Sequence, residues 1–237
     1  MTQTWQVTYE IYRKKGDQPS YYDHFKLEVN PDEYVLDGIE RIWAFKDRTL
    51  VFSHACHHST CGACGMVVNG LEKLTCITPI RSVTNDGGVI RVEPMRNFPV
   101  ISDLSVDMTT FYQRMEIVGQ QTVVSNTYEN SKGKFDPEDD LLRLSDCIEC
   151  GLCISACPIS LTTSDYVGPA VLAGAQQSGD LNPCVVELMD SENGAWRCHS
   201  AYECTEVCPS FVDPAWRIMN LRKQLVAKRI KKFFGVK

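Results

Sequence analysis

Apolar and polar residues alternate from Trp5 through Val7 and Tyr9 to Ile11, and again at Phe25, Leu27 and Val29, the period-two signature of strands with one buried face. A helix is expected next. Asn30 can cap it, Pro31 suits its first position, Glu33 stands at capping-box distance, and Val35, Leu36, Ile39, Ile42 and Trp43 recur on one face. Residues 65–69 and 71–76 read as a hairpin turning at Asn69-Gly70, and residues 89–93 close a small mixed sheet. From about Asp103 the period lengthens to that of helices, expected over 104–118, 141–152 and 167–177, with Asp213-Pro214 opening the last one. Residues 94–99 read as an irregular linker and residues 126–138 as a polar loop. The pattern predicts an α+β chain of two domains, a sheet-based one over 1–104 and a helical one over 105–237.

A chain of 237 residues can bury two cores, and 43% hydrophobic with 23% charged residues is ordinary for a globular protein. The anomaly is twelve cysteines. The first residues, Met1, Thr2, Gln3 and Thr4, show neither the basic nor the apolar stretch of a secretory signal, so a cytosolic setting with reduced thiols is expected. Closely spaced reduced thiols are more often metal ligands than cross-links. No run of eighteen apolar residues occurs, so membrane contact is expected to be peripheral or through partners. The net charge of −6 hides eight Lys and Arg with no Asp or Glu between Arg217 and Lys237, which leaves −14 on the rest. This tail predicts a basic helix with Leu221, Leu225 and Phe233 turned to the core, or a surface for anionic lipid or an acidic partner. The acidic body speaks against nucleic-acid binding.

Cys56, Cys61, Cys64 and Cys76 follow the plant-type [2Fe–2S] spacing, C-x4-C-x2-C with a distant fourth cysteine. One loop can supply three thiolates and a neighbouring strand the last, while Gly62 and Gly65 clear side chains where backbone N–H groups approach the cluster. Zinc also accepts four thiolates, but its sites usually pair two CxxC knuckles and only one is present. His54, His57 and His58 raise a Rieske arrangement, in which histidines replace two cysteines. No CxxH follows Cys56 and His58, so these histidines read as surface or interface residues.

Cys147, Cys150, Cys153 and Cys157-Pro158 form the bacterial ferredoxin run, whose fourth cysteine ligates the other cluster of a pair. Reading back from Cys208-Pro209 with the same gaps gives Cys204, Ala201 and Cys198. Crossing over, Cys147, Cys150, Cys153 and Cys208 complete a [4Fe–4S] site. Cys157, Cys198 and Cys204 can hold three irons, and the corner that Ala201 leaves without a thiolate predicts [3Fe–4S]. The leftover Cys184 reads as a buried structural thiol.

A plant-type [2Fe–2S] domain followed by a ferredoxin-like domain with one ligand missing resembles the iron–sulfur subunit of succinate dehydrogenase and fumarate reductase. The resemblance covers nearly the whole chain and includes Asn97-Phe98-Pro99-Val100-Ile101, Asp103-Leu104, Val106-Asp107-Met108, Phe111-Tyr112, Gly168-Pro169-Ala170 and the stretch from Cys204 to Pro209. It implies a β-grasp first domain, an all-α bacterial-ferredoxin-like second domain, and electron flow along three clusters between the FAD of a flavoprotein subunit and quinone at membrane-anchor subunits. FAD is then expected only in the partner, consistent with the absence of a G-x-G-x-x-G fingerprint here. The [2Fe–2S] domain is then expected to face the flavoprotein and the [3Fe–4S] end the membrane, with the subunit held peripherally on the cytoplasmic side. In the quinone vicinity, His199 matches a histidine of the succinate dehydrogenase branch. Pro158 is followed by Ile159, Ser160, Leu161 and Thr162, where that branch carries a tryptophan. The pattern is mixed, and direction stays open. A stand-alone soluble multi-cluster ferredoxin is one alternative, and a thiol-driven fumarate reductase is another, although its CCG modules do not occur here.

The spacing makes a direct prediction. Ala201→Cys should supply the missing thiolate, convert the [3Fe–4S] cluster to [4Fe–4S] and lower its potential. Electron paramagnetic resonance of the oxidised protein should show a [3Fe–4S] signal in the wild type that is absent from the variant.

Overall fold

A computed structural model describes residues 4–118, 147–177 and 183–235. The chain divides into two compact units, Met1–Met108 with Ile148–Leu152, and Thr109–Cys147 with Cys153–Lys237.

The first unit is built on strands β1 (Trp5–Arg13), β2 (Tyr21–Val29), β3 (Gly65–Val68), β4 (Leu71–Leu74) and β5 (Val89–Glu93), with helix α1 (Val35–Phe45) after β2. The sheet order is β2-β1-β5-β3-β4, with β1 and β5 parallel and the other pairs antiparallel. The expected alternation is realised: Val7, Tyr9 and Ile11 are buried together with Val35, Ile39 and Ile42 of α1. Tyr9 lies flat against the helix, its hydroxyl donating to Val35 O at 3.3 Å. Only a glycine fits opposite, because a Cβ on Gly38 would collide with the Tyr9 ring and hydroxyl. The β3–β4 hairpin turns on Asn69 and Gly70, both at positive φ (49° and 85°), as that dipeptide predicts.

Three local expectations change. The helix starts at Val35 rather than behind Asn30. The Asn30 amide does donate to Glu33 Oε2 (3.3 Å), but the pair closes a turn, and the Tyr34 amide donates to Asp37 Oδ2 (2.8 Å) at the true helix start. Trp43 is half-exposed with the Arg48 guanidinium 4.1 Å over its ring, so it leaves the apolar face. The helix expected over 104–118 is preceded by a small hairpin, β6 (Val100–Ser102) and β7 (Ser105–Val106), and begins only at Thr109. Asp103 causes this. Its carboxylate accepts from the Lys14 and Val51 amides, both at 3.0 Å, and the Leu104 amide donates to Val51 O at 3.1 Å.

Asp103 also faces Arg13, whose side chain is 1% exposed, at 3.2 Å. The same guanidinium reaches Asp23 (2.8 Å), Asp47 (2.6 Å) and Thr49 (3.0 Å). The hydrogen bond from Arg13, with help from Thr49, holds the Asp47 carboxyl down at about 2.

The second unit is helical among its described residues: α2 (Thr109–Ile117), α4 (Pro158–Thr162), α5 (Pro169–Gln177), α6 (Pro183–Met189), α7 (Glu203–Glu206) and α8 (Pro214–Phe233), with one-turn α3 (Leu152–Ser155), whose first residue belongs to the first unit, ahead of α4. Helices α5 and α8 carry its core, burying Val171, Leu172 and Ala175 with Ile218, Leu221 and Leu225. Of the helix expected over 141–152, residues 141–146 lie outside the described residues, as does the loop 126–138. Residues 147–150 are not helical, and Glu149 and Gly151 take positive φ (53° and 77°), which delays the helix to Leu152. Asp213 caps α8 as expected, accepting from the Trp216 amide at 3.1 Å. Leu221 and Leu225 are buried, but Phe233 is 84% exposed. Eight residues past Leu225, at roughly 100° per residue, it lies about 80° round the helix from that side chain. No helix among the described residues is long and apolar enough to cross a membrane.

Replacing Asp103 with Ala leaves Arg13 short of a buried counter-charge and frees two amides. The first unit should lose about 3–5 kcal/mol, measured by denaturant unfolding of the full chain, and the double change Arg13→Met, Asp103→Leu should recover part of that loss.

Candidate metal centres

In the first unit, the loop after α1 carries Cys56 and Cys61, and Cys64 immediately precedes β3. Cys76 sits in a single 3-10 turn (Thr75–Ile77) after β4. Pairing of Gly65 with Leu74 across the hairpin brings Cys64 and Cys76 together, and the Thr75 amide and hydroxyl donate to Cys64 O at 3.2 and 3.0 Å. The thiols are linked electrically. Burial pushes Cys56 up, but hydrogen bonds from the Thr60 hydroxyl and from the His58 and Cys61 amides outweigh it and bring the thiol to about 6. Cys64 is also drawn down to about 6, chiefly by a hydrogen bond from Cys76, which keeps its own proton. A loop that favours thiolates suits a metal, since the thiolate is the ligand.

The glycines of this loop do more than clear the approach to sulfur. A Cβ on Gly62, which has φ +71°, would lie 2.8 Å from Ile148 O and 2.9 Å from Cys150 Cα. One on Gly65 would meet Leu152 at 3.1 Å and Met95 at 3.2 Å. Both positions therefore admit the Ile148–Leu152 stretch against the cysteine loop, a contact that spacing alone did not reveal. His57 and Ser59 hold positive φ (62° and 60°), and His54, His57 and His58 are exposed.

In the second unit, Cys147 and Cys208 pack around buried Ala173 and Val212, and Cys208 Sγ accepts from the Val212 amide at 3.4 Å. Burial pushes the Cys208 thiol up. Cys157, Cys198 and Cys204 form a second group. Cys204 is pushed up to about 12, first by burial and then by the charges of Cys157 and Cys198. Tyr166 is 2% exposed and feels burial first, then Cys198, Cys157 and Cys204 in turn, all raising its hydroxyl. That hydroxyl has no oxygen or nitrogen partner and sits among the three sulfurs. A buried donor within reach of the Cys198 sulfur fits a group carrying negative sulfur. Tyr166 escaped the sequence reading, and its one signal was a place two residues ahead of Gly168-Pro169-Ala170.

The supporting contacts are polar. The Thr205 hydroxyl donates to Asp213 (2.7 Å) and accepts from the Ala215 amide (3.2 Å), tying Cys204 to the start of α8. Arg222 donates to Ala195 O (2.8 Å), Trp196 O (3.3 Å) and Cys198 O, fixing the approach to Cys198. Ala201, His199 and Pro158 are exposed. Cys184 lies in α6, with its side chain outside the described ones.

Residues 8–113 match the model of a 2Fe-2S iron-sulfur cluster binding domain, and residues 143–212 that of a 4Fe-4S dicluster domain. The chain is an iron–sulfur electron-transfer protein. The fumarate reductase iron-sulfur subunit of Mycobacterium tuberculosis is 33% identical over 93% of this chain and 92% of its own length, and that of Escherichia coli is 31% identical over 88% of both. The mitochondrial succinate dehydrogenase [ubiquinone] iron-sulfur subunit of Candida glabrata is 28% identical over 92% of this chain and 90% of its own. A chain of the Mycobacterium smegmatis Sdh1 complex shares the fold at a TM-score of 0.77 and 24% identity, covering 96% of this chain and 98% of that one. This chain belongs to the family of iron–sulfur subunits of fumarate reductase and succinate dehydrogenase, and so is an electron-transfer component of an oxidoreductase.

Gly62→Ala combines a left-handed φ penalty of about 1–2 kcal/mol with an overpacking cost of about 1–3 kcal/mol. The variant should retain less iron per chain, with the [2Fe–2S] signal most reduced; iron assay and paramagnetic resonance check this.

Proposed function

We propose that this chain relays electrons between the FAD of a flavoprotein subunit and quinone at a membrane anchor. Cys56, Cys61, Cys64 and Cys76 hold a [2Fe–2S] cluster, Cys147, Cys150, Cys153 and Cys208 a [4Fe–4S] cluster, and Cys157, Cys198 and Cys204 a [3Fe–4S] cluster. In this reading the sheet-based domain over 1–104 is a plant-type ferredoxin of β-grasp form, and the helical domain over 105–237 is bacterial-ferredoxin-like. The carrying observation is the convergence of Cys157, Cys198, Cys204 and the Tyr166 hydroxyl, with an alanine at the fourth ligand place. When bound, the clusters supply one-electron carriers between a two-electron flavin and quinone.

The chain's own residues set the conditions. Thr60 and nearby amides favour the Cys56 thiolate, and Tyr166 offers a proton donor to sulfur in a dry pocket. His199 and Pro158 are open to a quinone or an anchor chain. The far end of α8 exposes Val226, Ile230, Phe233 and Phe234 beside Lys228, Lys231 and Lys232, an apolar and basic surface suited to peripheral contact with anionic lipid or an anchor on the cytoplasmic side.

Potentiometric titration followed by paramagnetic resonance tests the reading. A [3Fe–4S] signal should appear on oxidation, and Tyr166→Phe should lower its midpoint by about 20–60 mV. That range is one net hydrogen bond of about 0.5–1.5 kcal/mol expressed at about 59 mV per tenfold change for one electron. The [2Fe–2S] midpoint should not move. Absence of a [3Fe–4S] signal from intact protein would overturn the assignment.

A further inference from the structure

Glu40 lies on α1, away from the face that Ile39 and Ile42 bury. His54 and His57 follow on the loop that carries Cys56. His54 Nδ1 is 3.0 Å and His57 Nε2 3.1 Å from the same carboxylate oxygen, Glu40 Oε1, and the three ligand atoms lie within 4.8 Å of one another. Two further observations bear on these contacts. Glu40 Oε1 is shielded from solvent and takes no hydrogen bond of good geometry, although both nitrogens lie close to it. The rings are also held in set orientations. Phe52 stacks on His54 at 5.0 Å and 18°, and the His54 and His57 rings stand at 88° with centroids 5.5 Å apart.

Two imidazole nitrogens and a carboxylate oxygen make a donor set for a borderline divalent ion. Metal bonds of about 2.0–2.2 Å place neighbouring ligands of a tetrahedral or octahedral shell roughly 3 Å apart, which matches both nitrogen–oxygen separations. An ion there would give the orphaned oxygen its missing partner. We propose that Glu40, His54 and His57 bind a divalent first-row transition-metal ion of the zinc class, with at least one position left to water. The site clamps α1 to the cysteine loop, uses none of the eleven cluster cysteines, and stands whether or not the cluster assignments above hold.

The test uses the full chain with its clusters assembled anaerobically and loosely held metal removed. Calorimetric titration with Zn²⁺ should show one site per chain. Co²⁺ in its place should give weak ligand-field bands of nitrogen and oxygen coordination, without the intense charge-transfer bands of a cobalt thiolate. Glu40→Gln, or the pair His54→Ala and His57→Ala, should weaken Zn²⁺ binding at least about 100-fold, the upper end of the loss seen when only an outer-shell partner is removed. Iron content and the [2Fe–2S] spectrum of each variant establish that it folds. The Co²⁺ spectrum of the wild type decides the matter if a variant does not. No Zn²⁺ site, unchanged affinity in a folded variant, or thiolate bands with Co²⁺ would each overturn the proposal and leave two close histidine–glutamate contacts.

Discussion

Arg13 is a charge almost wholly removed from water, and the first unit is arranged so that this can happen. A buried guanidinium without counter-charges costs several kcal/mol. Its partners come from separate places in the chain: Asp23 on β2, Asp47 and Thr49 after α1, and Asp103 after β6. Each must be in place for the others to be worth burying, so strand pairing, helix exit and hairpin position become one cooperative arrangement. Asp103 extends this outward by accepting from the Val51 amide, five residues before Cys56. The cysteine loop therefore leaves a fixed point, which lets Gly62 and Gly65 approach another stretch of backbone closely without losing register.

The second unit meets the opposite electrostatic problem. Three thiols and a phenol gather where water is scarce, and each negative charge raises its neighbours, as Cys204 and Tyr166 show. Thiolates accumulate in such a pocket only with a cation to neutralise them, so assembly of this region and metal loading are linked. The surrounding polar contacts, from Thr205 to Asp213 and from Arg222 to the carbonyls of Ala195, Trp196 and Cys198, orient the backbone around the sulfurs. They form a scaffold for thiols whose negative charges would otherwise repel one another.

The basic helix α8 divides its charges between two tasks. Arg217 donates to Val212 O, Arg222 holds the approach to Cys198, and Arg229 pairs with Asp190 at 2.8 Å. Lys228, Lys231 and Lys232 remain exposed among aromatic and aliphatic side chains. A run of like charge thus serves internal order at its start and presents a surface at its end.

Candidate cluster ligands can be read along the chain, because such ligands are constrained by local spacing: C-x4-C-x2-C, C-x2-C-x2-C-x3-C and the alanine at 201 need no fold to be noticed. The strands, the Asn69-Gly70 turn and the Asp213 cap were legible for the same reason, since each depends on neighbours a few residues away. What lay beyond reach depends on residues distant in sequence. Glu33 stood at capping distance from Asn30, yet the helix waited for Asp37. Phe233 kept the right chemistry for a core, but no element among the described residues covers it. Arg13 and Tyr166 carry no motif and take their meaning from burial, and the meeting of Glu40 with His54 and His57 depends on the packing of α1 against the loop. Sequence by itself determined which residues are candidates to bind metal; tertiary structure decided which polar groups are deprived of water, because desolvation belongs to the packed chain and not to any segment of it.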